Sequence, residues 1–195
     1  MNETPNVPDP RPAFTETIAL VGSTLAAVRP DQLDRATPCH EYTVRDLSNH
    51  LVAVLRRIVV IGRGGDASDM PRVADDVADG DGPKAWDTAA AEVQNIWSDP
   101  ALMGRMLTLP FATLPGAVAT LVYTGEFTIH TWDLATATGQ HPTWNPKTLT
   151  TLLESSRRAI PAERRGDPIP FDAVIDVPAD APDIDKLVAW YGRRP

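Results

Sequence analysis

Proline and glycine punctuate this chain so densely that few long helices can form. A proline inside a helix removes a backbone donor and clashes with the preceding turn, and a glycine costs about 1 kcal/mol relative to alanine. The 195 residues include 19 prolines and 12 glycines. Two stretches escape. Residues 39–61 contain neither, and residues 116–138 contain no proline. Each is expected to carry a long helix.

Apolar spacing fills in the other elements. Phe14, Ile18, Val21, Leu25 and Val28 fall on one face of a helix from about Pro12 to Val28, ended by Arg29-Pro30. Thr43 and Asp46 resemble a capping box with Asp in place of Glu. The helix they open carries Leu47, Leu51, Val54, Leu55 and Ile58 and ends near Gly62, Gly64 and Gly65. Shorter helices are expected over Pro83 to Trp97, Pro146 to Ile160 and Asp183 to Tyr191, with a long one after Pro115-Gly116 stopped by Gly139. Leu107 to Phe111 can form a short strand despite Pro110. The chain reads as all-α: a disordered leader at 1–11, a helical bundle at 12–160 and a C-terminal strap with a short helix at 161–195.

Charge and cysteine content narrow the function. The net charge of −8 argues against nucleic acid as a partner, because phosphate binding needs a basic footprint. Six aspartates between Asp66 and Asp81 read as a solvated loop. A lone cysteine, Cys39, excludes an intrachain disulfide and a cysteine zinc cluster. With no signal-peptide pattern and no membrane-length apolar run, the natural reading is a cytoplasmic protein with no membrane partner.

The chemistry-bearing residues lie on the two long helices. Glu126 and His130 are four apart and stand one above the other on a helix face, so both can reach one cation. On a helical wheel Glu126 falls in a stripe with Val118, Val122 and Ile129, read as core-facing. His50 borders the core stripe of its own helix. Burying a lone carboxylate is costly without a partner. Three readings stay open on these grounds: a shared metal ion, hydrogen-bonded core histidines, or a buried pair between Glu126 and an arginine such as Arg57.

Several runs resemble a known family. They are Thr37-Pro38-Cys39, Thr43-Val44-Arg45-Asp46-Leu47 through His50-Leu51-Val52, and Gly125-Glu126 through His130-Thr131-Trp132-Asp133-Leu134-Ala135 with Ala137-Thr138-Gly139. Together they resemble the mycothiol-dependent maleylpyruvate isomerase-like family, the actinobacterial branch of the DinB-like metal-binding superfamily. The closing run Ala181-Pro182, Asp185, Leu187-Val188-Ala189 and Gly192-Arg193-Arg194-Pro195 is similar to the ending of one subgroup of uncharacterised members. The resemblance implies an up-down four-helix bundle. It also implies one divalent metal, zinc or nickel, held by His50, Glu126 and His130, with mycothiol as a possible co-substrate. Isomerases of this family carry a substantial second domain after the bundle; the expectation here is that the tail is too short for one, which removes maleylpyruvate as the expected substrate.

Three protein ligands leave a coordination position open, the catalytic rather than the structural pattern. The expected function is a thiol-dependent transferase or isomerase acting on a small electrophile; the alternative is a non-catalytic metal-dependent sensor or binding module. A homodimer is compatible with either. Asp46, four residues before His50, is a candidate to orient that imidazole, or only to cap its helix. Asp133, three after His130, is a candidate for the same role there, or a backbone acceptor. Arg57 is a candidate to pair an anionic group of thiol or substrate, or a surface arginine beside Arg56. Cys39 reads as a small buried residue.

Overall fold

A computed structural model of the chain describes residues 9–165 and 171–195. Most of the leader, 1–8, and part of the strap, 166–170, lie outside the described residues. The described chain is mostly helical. Helix α1 spans Arg11–Ala26, α2 Val44–Gly62, α3 Gly82–Trp97, α4 Gly116–Thr138, α5 Pro146–Ala159 and α6 Asp183–Trp190. A small antiparallel hairpin, β1 Met106–Leu109 with β2 Ala112–Pro115, precedes α4. The single strand expected at Leu107 to Phe111 is thus two, turning at Pro110-Phe111, where a proline without an N–H falls outside the ladder.

The helix ends follow local chemistry. At the start of α2 the Thr43 amide donates to Asp46 Oδ2 at 3.0 Å, and the Asp46 amide donates to Thr43 Oγ1 at 3.2 Å. Helix α4 stops where Gly139 takes φ 72°, a left-handed conformation that glycine adopts without a Cβ penalty.

Helices α1 to α4 enclose the main core, and their directions come from what touches what. Phe14 stacks near Phe127, and Gln140 Nε2 donates to the Thr24 carbonyl, so α1 and α4 run the same way. The Trp86 indole donates to the Ile18 carbonyl while Trp97 packs on Phe14, so α3 runs opposite to α1. Gly62 abuts Trp97, and Arg63 pairs with Glu92, so α2 and α3 run together. The order is therefore up, down, down, up rather than the simple alternation expected. The connection from Arg63 to Asp81 is long enough to carry the chain back before α3 begins. That Asp-rich segment is pinned along α2 by Arg45 to Asp79 at 2.8 Å and Arg56 to Asp76 at 2.6 Å, and it buries Ala67 and Ala74.

Helix α4 carries an unusual inner face. Thr120, Thr124, Thr128, Thr131 and Thr138 are buried, and each hydroxyl donates to the carbonyl four residues back at 2.6–2.7 Å. Satisfied this way, a threonine presents its methyl group and packs as an apolar residue. With threonines taking the core, Val118 and Val122 are left 44% and 36% exposed. Of the stripe expected to face inward, Ile129 is buried, but Val118 and Val122 lie on a flank of the helix open to solvent, and Glu126 continues that flank. Helices α5 and α6 pack outside α4 in a second cluster formed by Trp132, Leu149, Leu152, Leu153, Ile184, Leu187 and Val188. No described helix is long and apolar enough to cross a membrane.

Candidate metal centre

Antiparallel packing of α2 against α4 brings His50, Glu126 and His130 together. His50 Nε2 lies 3.3 Å and His130 Nε2 3.6 Å from the same oxygen, Glu126 Oε1. One ligand-type atom from each residue falls within 4.8 Å of the other two. The two rings meet edge to face, centroids 5.1 Å apart.

The outer nitrogens decide what faces inward. His50 Nδ1 donates to the Arg72 carbonyl at 2.7 Å. A carbonyl only accepts, so the neutral ring carries its proton on Nδ1 and turns a lone pair on Nε2 toward Glu126. His130 Nδ1 likewise donates to Asp133 Oδ2 at 3.0 Å. Two nitrogen lone pairs and a carboxylate therefore converge, three acceptors with no donor among them, and such a cluster requires a shared positive charge. For ligands at about 2.0–2.2 Å in a tetrahedral arrangement, neighbouring donor atoms stand about 3.3 Å apart. The observed 3.3 and 3.6 Å fit that spacing and are long for direct hydrogen bonds. The donor set suits a divalent cation.

In the metal-free protein the charge is a proton. Burial opposes the charged form of His130, but the hydrogen bond with Asp133 and the nearby Glu126 carboxylate outweigh it and push the ring up to about 9. Burial also works to raise the Glu126 carboxyl, yet contacts with His130 and His50 hold it well below the usual carboxylate range. The histidine side chains are 7% and 11% exposed and Glu126 35%, so access to the cluster is from the Glu126 side.

The other sequence candidates separate. Asp133 is fully buried and bonded to His130, and Arg193 clasps it through Nε and Nη2, both at 3.0 Å. Asp46 does not reach His50. Its carboxylate serves the Thr43 cap, and the backbone carbonyl of Arg72 takes the place on His50. Arg57 does not pair with Glu126; Nη2 donates to the Pro71 carbonyl at 3.0 Å, while the buried Nε has no partner among the described residues. Tyr123, about one turn before Glu126, also buries its hydroxyl with no partner among the described residues. Burial raises the Tyr123 phenol, with Arg57 opposing and Glu126 adding to the shift.

Cys39 is half-buried, and its thiol falls within 4.8 Å of ligand atoms of His130 and Asp133. That second cluster already has its cation, because the Arg193 fork occupies both Asp133 oxygens. Burial pushes the Cys39 thiol up. The periodicity of α2 and α4 gave no sign of Arg72, Tyr123 or Arg193. The one available signal for Arg193 was a buried aspartate at position 133, which needs a cation from elsewhere in the chain.

The family model described as mycothiol maleylpyruvate isomerase N-terminal domain matches residues 14–135. The chain belongs to that family. The matched span contains His50, Glu126, His130 and Asp133 and ends before α5, α6 and Arg193. Two relatives are uncharacterised proteins of Mycobacterium tuberculosis, from two strains. Each is 33% identical over 187 residues, covering 95% of this chain and 98% of the relative. No solved structure matches significantly.

Proposed function

We propose that this member of the family is a metal- and thiol-dependent transferase or isomerase acting on a small electrophile. His50, Glu126 and His130 hold one divalent cation, zinc or nickel as the family resemblance implies, and mycothiol is the thiol that the family name suggests. The observation that carries this reading is the convergence of two Nε2 lone pairs on Glu126 Oε1 with no donor in the cluster. When bound, such a cation with an open position favours the thiolate form of a thiol and polarises an electrophilic carbonyl.

The protein's own groups supply the rest. His50 and His130 are fixed from behind by Arg72 and Asp133, so neither imidazole has to reorient on binding. Tyr42 stacks on His50 at 4.9 Å and closes that side. Arg57 Nε and the Tyr123 hydroxyl offer unused donors for an anionic group on the thiol or electrophile. Val122 and Val118, one and two turns before Glu126, give the open side an apolar approach.

The test is titration of metal-loaded protein with mycothiol, using a cobalt-substituted sample whose absorption reports sulfur coordination. The reading expects a sulfur-to-metal band and conjugation or isomerisation of a small chromogenic electrophile, both lost in His50→Ala. A loaded protein whose spectrum never responds to the thiol refutes the thiol step. One observation favours a second reading, a metal-dependent sensor or binding module. The shifted acid–base groups around the triad, Tyr42, Tyr123 and Cys39, are all raised by burial, away from the neutral range useful to a general base. Stoichiometric metal and thiol binding with no turnover of any electrophile would select it.

A further inference from the structure

The C-terminal segment ends on the metal centre. Helix α6 docks on α5 and on Trp132 of α4 through Ile184, Leu187 and Val188. Its last turn closes with the Gly192 amide donating to the Ala189 carbonyl and the Arg193 amide to the Val188 carbonyl, both at 3.0 Å. This is the two-bond helix stop that needs a left-handed residue, and Gly192 supplies it with φ 82°. A Cβ on Gly192 would stand 2.6 Å from the Asp172 Cβ, so the turn is also sterically reserved for glycine. The turn sends Arg193 back toward the bundle, where its side chain is 14% exposed.

Arg193 then meets a carboxylate with no exposure at all. Nε donates to Asp133 Oδ1 and Nη2 to Asp133 Oδ2, each at 3.0 Å, in the planar two-bond geometry available to arginine but not to lysine. Asp133 Oδ2 in turn accepts from His130 Nδ1. The chain of contacts runs from the tail, through a buried carboxylate, to the back of a ligand imidazole.

We propose that Arg193 is a positioning residue of the metal centre: by fixing both oxygens of Asp133 it holds the His130 proton on Nδ1 and keeps Nε2 aimed at His50 and Glu126. The inference rests on the metal-site reading above. It adds that the centre is completed by a residue outside the span matched by the family model. Partners behind a ligand histidine typically change metal affinity 10–100-fold when removed.

The experiment compares Arg193→Met, Arg193→Lys and Leu187→Ala with the wild-type chain. Zinc affinity is read by competition with a chromophoric chelator, and the His130 tautomer by long-range nitrogen–proton NMR of metal-free protein at a pH above 9, where the ring is neutral. Arg193→Met is expected to weaken zinc by 10–100-fold and to mix the two tautomers. Arg193→Lys, which keeps the charge and loses the fork, is expected to fall between. Leu187→Ala loosens α6 without touching the relay, and should lower the melting temperature while leaving zinc affinity and tautomer unchanged. Wild-type affinity and a pure tautomer in Arg193→Met, or an equal loss of affinity in Leu187→Ala, overturns the proposal. If Arg193→Met does not fold, Arg193→Lys decides it by the same two readings. If the wild-type chain binds no zinc, the metal-site reading fails, and the tautomer still reports whether Arg193 controls His130.

Discussion

Raising the pH of the metal-free protein should destabilise it, and loading the metal should abolish the effect. His130 is buried between Asp133 and Glu126 and pushed up to about 9, against an ordinary value of 6.5. The folded state therefore holds a proton that the unfolded chain releases in this window, so stability is fully present below 6.5 and is lost as the pH rises through about 9. At about 1.36 kcal/mol per pH unit over the interval, the loss is at most about 3 kcal/mol, or roughly 6–12 °C in melting temperature for a chain of this size. Glu126, held low, contributes above its unfolded value and does not change across this window. A divalent ion replaces the proton, so the loaded protein should melt at nearly constant temperature while apparent metal affinity climbs about tenfold per pH unit. The assay is a set of thermal melts of chelator-treated and metal-loaded protein between pH 6.5 and 9. Glu126→Gln, which removes one of the two carboxylates facing His130, should flatten the metal-free slope. A melting temperature for the metal-free protein that stays level or rises across the window would refute the reasoning.

Other perturbations separate the centre from its scaffold. Thr43→Ala should cost about 1 kcal/mol in denaturant unfolding through loss of the cap, with metal affinity unchanged because Asp46 serves the helix start and not His50. Gly62→Ala places a Cβ 2.5 Å from Trp97 Cζ3 and 2.7 Å from Ile96 Cγ2; it should destabilise by about 1–3 kcal/mol in the same assay. Cys39→Ser should retain full metal stoichiometry, and native Cys39 should alkylate far more slowly than the denatured chain, because burial raises its thiol.

The elements were legible where local chemistry decides them. Thr43 with Asp46 marked the start of α2, Gly139 marked the end of α4, and Pro146 opened α5, because caps and stops act within one helical turn. Helix direction was not legible. It depends on how the Arg63 to Asp81 segment lies along α2, and the pairing of Arg45 with Asp79 joins residues 34 apart. The inner face of α4 was misread for a different reason. Threonine counts as polar in a hydrophobic pattern, yet five threonines bond their own helix and fill the core, which leaves Val118 and Val122 outside. The same misreading hid a useful fact, that Glu126 lies on an accessible flank. Asp133 was marked as a candidate at His130, but its Arg193 partner comes from 60 residues along the chain, where no local pattern on α4 reaches.

The central claim is one divalent ion at His50, Glu126 and His130. Elemental analysis of protein purified without an affinity tag, then dialysed against zinc or nickel, tests it directly. The account expects one ion per chain in the wild type and in Cys39→Ser, and none in His50→Ala or His130→Ala that still fold. A wild-type chain without stoichiometric metal, or a His50→Ala variant that keeps its ion, would contradict it.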